Sequence, residues 1–235
     1  MLKVTKFGGS SMADAGQYRK VKEIVTADKE RKVVVVSAAG KRSSKDHKIT
    51  DLLYLCHAHT QYGVECDQVF EMITSRYIEI RDELKLNVDL ETEFAALKRR
   101  LDARAVSSDE LASRGEYFSA KLMAAFLGFQ FVDAADWIKF NIDGSVNKKA
   151  SYSALRSMMK GKGIVIPGFY GTMPDGTIRT SPEAAVTSPA LWQPLLWMQM
   201  FTKTGLTCPV FSWQTPGSLT IPCPSPRLLT MSSVS

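Results

Sequence analysis

Residues Leu2 to Phe7 alternate between apolar and polar like a short strand and run into Gly8-Gly9-Ser10-Ser11. The spacing then turns helical from Ala15 to Ala27, with Val21, Ile24 and Val25 on one face. Val33-Val34-Val35-Val36 is a continuous β-branched run, the pattern of a strand covered on both faces of a parallel sheet. It ends in the small residues Ser37-Ala38-Ala39-Gly40. The pattern predicts mostly helix from Thr50 to about Gly128. Within it, Ser107 and Glu110 are spaced as a capping box, and Leu111, Phe118, Leu122 and Phe126 point to a core. Phe129–Val132 and Gly163–Pro167 are two further predicted strands, and Met173–Thr177 reads as a hairpin turn. Strands alternating with helices predict an α/β fold with a largely parallel sheet, whose ligands collect at the carboxyl ends of the strands.

That pattern stops after Thr180. Residues 181–235 hold eight of the ten prolines and three of the four tryptophans, but a single acidic residue, Glu183. Prolines this frequent leave no room for a helix or a central strand. Composition alone suggests a disordered Pro/Ser/Thr-rich tail, yet Leu195-Leu196-Trp197-Met198 is too apolar for a solvated linker. The expected division is therefore 1–180 and 181–235.

Charge changes this picture little. The net charge is +6, but Lys and Arg interleave with Asp and Glu, as in Asp28-Lys29-Glu30-Arg31-Lys32, so solvated helix faces are expected and a nucleic-acid partner is not. The four cysteines lack C-x-x-C spacing, the first apolar run is too short to span a membrane, and no signal peptide is evident. A reduced, cytoplasmic location and no membrane partner are expected. His47, His57 and His59 do not match a zinc spacing, so no metal site is expected there.

Several residues could carry chemistry. Lys6 stands at a strand end before a Gly-Gly turn and a helix, an arrangement in which backbone amides and a cation can face a phosphate. It is not a Walker loop, and a plain strand-to-helix turn is the alternative. Ser37 and Thr50 could bind a small polar substrate or simply cap local structure. Glu116 follows Gly115 in Ser113-Arg114-Gly115-Glu116. A helix-interior glycine costs roughly 1 kcal/mol against alanine, which suggests close approach of a ligand or another backbone. Glu116 is then either a carboxylate for an ammonium group or an exposed helix charge. Pro167-Gly168-Phe169-Tyr170-Gly171 is a glycine-flanked aromatic loop suited to wall a small site.

In this order, Lys6-Phe7-Gly8-Gly9-Ser10-Ser11, Val35-Val36-Ser37-Ala38, Thr50-Asp51-Leu52-Leu53, Ser113-Arg114-Gly115-Glu116 and Pro167-Gly168-Phe169-Tyr170-Gly171 resemble the aspartate kinases of the amino-acid kinase superfamily. The resemblance covers about residues 1–180 and implies a three-layer α/β/α sandwich whose N-terminal lobe holds the amino acid. It implies ATP with Mg2+, L-aspartate as acceptor, a product of 4-phospho-L-aspartate on the way to lysine, threonine and methionine, and a homo-oligomer. By the same resemblance Lys6 contacts the transferring phosphoryl group, Phe7, Gly8, Gly9 and Ser10 line the phosphates, and Ser37, Thr50 and Glu116 contact aspartate. Two alternatives stay open. One is a kinase for glutamate, acetylglutamate or carbamate; the other is a non-catalytic partner that dimerises or binds substrate.

The departure from the family comes at Ser181. There aspartate kinases continue close to F-S-R-G-G-S-D, with an arginine that clamps the substrate carboxylate. Ser181–Thr187 can be back-translated as TCT CCC GAG GCG GCA GTG AC; one base restored after the Thr180 codon gives TTC TCC CGA GGC GGC AGT GAC, which encodes that segment. The same shift lets Phe201–Val210 encode Y-E-N-W-T-D-V-S-G, similar to the family's nucleotide-binding segment. The expectation is a single-base deletion, an aberrant tail over 181–235, and little or no kinase activity in the chain as written.

Overall fold

A computed structural model of the chain describes residues 3–158, 163–168 and 170–180, together with the backbone of 212–213. Strand β1 (Lys3–Phe7) pairs in parallel with β2 (Arg31–Val36), which pairs in parallel with β4 (Ile164–Pro167). The short β3 (Gln130–Phe131) flanks β4, and the two-residue β7 (Ser212–Trp213) flanks β1, giving the order β3-β4-β2-β1-β7. All these pairings are parallel, as the valine run predicts. A separate antiparallel hairpin joins β5 (Tyr170–Thr172) to β6 (Ile178–Thr180) through the predicted turn, closed by Met173 and Thr177 and by Gly176 at a φ of +85°.

Helices cover both faces, so the architecture is the expected α/β/α sandwich. The alternation of β2 divides its side chains. Val34 and Val36 join a core built with α1 (Ala15–Thr26), α2 (Ile49–Gln61), α3 (Asp67–Glu83), α4 (Glu91–Asp102) and α5 (Ser108–Leu127). Val33 and Val35 join Trp137, Ile138, Phe140, Leu155 and Tyr170 on the other face, under α6 (Ala134–Trp137) and α7 (Lys148–Met158). A β-branched residue on each face of a buried strand contributes to both layers at once, about 1.5–3 kcal/mol per fully buried side chain.

The local signals act largely as written in the sequence. Asp14 caps α1 by accepting from the Gln17 N–H at 2.9 Å, and Tyr18, Val21 and Val25 form the buried stripe. Ser107 caps α5 by accepting from the Glu110 N–H at 3.1 Å. The reciprocal half of that box is not used, because the Glu110 carboxylate turns outward to Arg100 at 2.6 and 2.9 Å. Gly128 ends α5 in the left-handed region, at a φ of +67°. Among the described residues no helix is long and apolar enough to cross a membrane, and Cys56 and Cys66 are buried free thiols. The expected disorder of the tail lies outside the described residues.

Candidate functional site

The carboxyl ends of β1, β2 and β4 lie side by side, so the segments leaving them meet. After β1 the chain passes through Gly8 into a short 3-10 helix (Gly9–Met12), with the Ser11 N–H donating to the Gly8 carbonyl at 2.9 Å. After β2 the Ser37 N–H donates to the Phe7 carbonyl at 3.1 Å, and the Gly40 N–H to the Gly9 carbonyl at 2.8 Å. The two exits therefore touch main chain to main chain. A Cβ on Gly40 would lie 2.6 Å from the Gly9 carbonyl carbon, a contact only glycine permits. Beside Gly8 the space is open, with nothing within 4 Å of where a Cβ would stand.

Each predicted site residue has a definite place in this arrangement. Lys6 is the last residue but one of β1, half-buried, in register with Val35, and already has an interaction partner. Phe7 puts its ring in the core and offers only main chain to the turn. Gly8 and Gly9 are partly exposed, and Ser10 is exposed. Ser37 is half-buried in a loop, with no helix for it to cap. Thr50 is half-buried at the second position of α2; the helix starts at Ile49, with Lys48 as its N-cap and no side-chain capping bond. The capping alternatives for Ser37 and Thr50 therefore fail.

Helix α5 runs against the strands and delivers Ser113-Arg114-Gly115-Glu116 to the same edge. A Cβ on Gly115 would stand 2.8 Å from Ala38 Cβ and 3.1 Å from Leu53 Cδ1, so this glycine lets α5 settle on the β2 exit and on α2. The Tyr77 hydroxyl donates to its carbonyl at 2.7 Å. Glu116 is only 7% exposed, which overturns the exposed-charge alternative, and its Oε2 accepts the Gly168 N–H at 2.9 Å. A buried carboxylate needs such partners. Ser113 donates to the Glu110 carbonyl at 2.6 Å, and Arg114 lies over the Tyr117 and Tyr170 rings.

The aromatic loop after β4 departs from its expected role. Tyr170 does not wall the site; it is fully buried in the opposite core, donating to Asp133 Oδ1 at 2.6 Å, and burial pushes its hydroxyl well above the usual phenol range. Phe169 lies outside the described residues. One group among the described residues has metal-ligand types close together, Cys66, Asp67 and Asp102, but Lys98 already supplies its cation, at 2.7 Å from Asp67 and 2.5 Å from Asp102.

Sequence reasoning missed three contributors. Asp109, in the first turn of α5, accepts the Thr180 N–H at 3.1 Å and the Thr180 hydroxyl at 2.9 Å, tying the end of β6 to the helix that carries Glu116. Arg76 on α3 donates to the Gly40 carbonyl at 2.9 Å and to both oxygens of Asp46 at 2.8 and 2.7 Å. For Asp46, burial works against the charge, but the Arg42 and His47 N–H groups and the two guanidiniums outweigh it and hold the carboxyl at about 2. The carboxyl ends of the neighbouring strands and the helices packed on them thus offer a cation, an open space beside Gly8, two hydroxyls and a buried carboxylate.

Residues 1–188 match the model of the amino acid kinase family. The chain is 34% identical over 193 residues to aspartokinase 3 of Bacillus subtilis (strain 168), a match spanning 76% of this chain and 42% of the relative. The crystal structure of Clostridium acetobutylicum aspartate kinase superposes with a TM-score of 0.75 at 42% identity, covering 79% of this chain and 43% of that one. E. coli aspartokinase III, solved with aspartate and ADP, shares the fold with a TM-score of 0.68 at 23% identity, over 83% of this chain and 47% of that one. The chain therefore spans less than half the length of each of these relatives.

Proposed function

This chain belongs to the amino acid kinase family, and from that premise we propose that it is the amino-acid-binding part of an aspartate kinase, which transfers the γ-phosphoryl group of ATP to the side-chain carboxylate of L-aspartate. The observation that carries this reading is the placement of Glu116: a buried carboxylate beside the carboxyl ends of β1, β2 and β4. An amino acid that presents its own carboxylate for phosphorylation must be gripped by its α-ammonium group, and Glu116 supplies the counter-charge. The hydroxyls of Ser37 and Thr50 orient the same substrate. The main-chain amides from Gly8 to Ser10 hold the phosphates, and Phe7 sets the height of the turn by accepting from Ser37.

One oxygen of the aspartate side chain attacks the γ-phosphorus, and the bond from that phosphorus to the ADP oxygen breaks, giving 4-phospho-L-aspartate and ADP. No proton has to be removed from the nucleophile at neutral pH, so positioning and charge neutralisation do most of the work. Lys6 neutralises charge gathering on the transferring group. Mg2+ enters with ATP as part of the substrate complex. A cytoplasmic location and a homo-oligomeric assembly complete the proposal.

Residues 181–235 are, on this reading, translated one base out of frame, so the arginine clamp is missing from the chain as written. Resequencing the gene across the Thr180 codon shows where the base was lost: one extra base there makes the tail an error of reading, and an unchanged reading places the deletion in the gene and makes the chain a truncated product. For the chain as it stands, calorimetric titration should show L-aspartate bound more tightly than L-glutamate, with affinity reduced in Glu116→Gln. Equal affinity for both amino acids, or an unaffected Glu116→Gln variant, would remove the support.

A further inference from the structure

The two turns that carry the proposed phosphate and amino-acid contacts are joined main chain to main chain, yet the second has little of its own to hold it. From Lys41 to Lys45 every residue is exposed, and none of residues 41–48 belongs to either core. The segment carries Lys41, Arg42, Lys45 and Lys48 against one acid, Asp46. Four like charges on a short exposed loop favour an expanded ensemble, not one geometry.

We propose that Arg76 is the positioning residue that holds the β1 and β2 exit turns in their joint conformation, an inference that rests on the site reading above. It lies on α3, outside the site, and is only 4% exposed. One arm of its guanidinium takes the Gly40 carbonyl and the other takes both Asp46 oxygens. Asp46 in turn accepts the N–H groups of Arg42 and His47, at 2.9 and 3.0 Å, which folds the basic segment back on itself. Gly40 passes the constraint on, because its own N–H holds the Gly9 carbonyl. Ile49 donates to the Ala39 carbonyl at 3.1 Å, so the start of α2, and with it Thr50, hangs on the same loop.

The geometry favours a positioning role over a plain core ion pair for two reasons. Both arms of the Arg76 guanidinium are met by the loop, Nη1 by the Gly40 carbonyl and Nη2 by Asp46, while its buried Nε has no hydrogen-bond partner among the described residues, so this cation's pairing depends on one loop shape against the alternatives. Its carbonyl partner, moreover, is Gly40, whose own N–H bonds to the Gly9 carbonyl of the β1 turn. Arg76 contacts no proposed substrate position and acts through Gly40 and Asp46.

Amide hydrogen exchange on the 235-residue chain tests this in wild type, Arg76→Lys and Asp46→Asn; the second variant keeps the shape of the aspartate if the first folds poorly. The reporters are the Gly40 and Ser11 amides, which bond to Gly9 and Gly8. Both should exchange about tenfold faster or more in each variant, while the amides of β4 and the middle of α5 keep their protection. The dissociation constant for L-aspartate should rise about fivefold or more in parallel, because Thr50 hangs on the same loop, and lysine should not rescue, since an ammonium cannot span both partners. Unchanged Gly40 and Ser11 exchange overturns the proposal. So does a rise shared equally by β4 and α5, or an Arg76→Lys variant indistinguishable from wild type. If the wild type binds no L-aspartate while the local exchange change is present, the role of Arg76 in joining the turns stands and the site reading falls.

Discussion

The turns after β1 and β2 do the same job by different means. The first is compact and self-supporting: two glycines, a 3-10 turn closed by Ser11 on Gly8, and a capped helix directly behind it. The second is long and cationic, and it takes its shape from a side chain on another helix. The first can be read from a handful of consecutive residues. The second exists only once α3 has packed, so part of the site is made by tertiary structure. The proposed function requires both turns in register, and the Gly40 N–H on the Gly9 carbonyl is one of the main-chain bonds that join them.

Breaking the shared contact should have the largest effect. In Gly40→Ala the new Cβ would fall 2.6 Å from Gly9 main chain, which has no flexible atom to yield. A loss of about 3 kcal/mol in denaturant unfolding is expected, with the two turns driven apart. Gly115→Ala presses on Ala38 Cβ and Leu53 Cδ1, side-chain atoms with more freedom, and should cost about 1–3 kcal/mol by the same measurement.

A pH series separates the second turn from the first. The folded-state carboxyl of Asp46 sits at about 2, below the usual value near 4, so the unfolded chain binds the proton more readily. Its contribution is fully present above about pH 4 and is lost as pH falls towards 2. Thermal melts over that range should show a decline that is reduced in Asp46→Asn. The smallest structural effect is expected at Gly8→Ala. Its backbone is extended, with a φ of −77°, and nothing stands within 4 Å of the new methyl. Stability should change by about 0.5 kcal/mol or less, while Mg-ATP affinity of the frame-restored chain falls because the methyl enters the space proposed for phosphate.

What the sequence made legible follows the same division. The β1, α1, β2 and α5 segments declare themselves through local periodicity and caps, and they deliver Lys6, Ser37 and Glu116 to one edge of the sheet. The helix that carries Thr50 was legible, although α2 starts one residue earlier than its motif suggests. The second layer was not legible: α6 is a single turn, and α7 buries only Ser151 and Leu155 in a run of polar residues. Arg76 gave no signal either, because in Ser75-Arg76-Tyr77-Ile78-Glu79 it looks like any solvated helix cation. Its burial depends on a loop some thirty residues away in the chain. Tyr170 misled for the opposite reason, since a glycine-flanked aromatic suits a site wall and a hairpin core equally well.

The most direct test of the account is a hydroxylamine-trapping assay on the frame-restored chain, supplied with Mg-ATP and L-aspartate. The predicted result is an aspartyl hydroxamate whose rate of formation falls by about 100-fold or more in Lys6→Met, with none formed from L-glutamate. No hydroxamate from L-aspartate, or an undiminished rate in Lys6→Met, would contradict it.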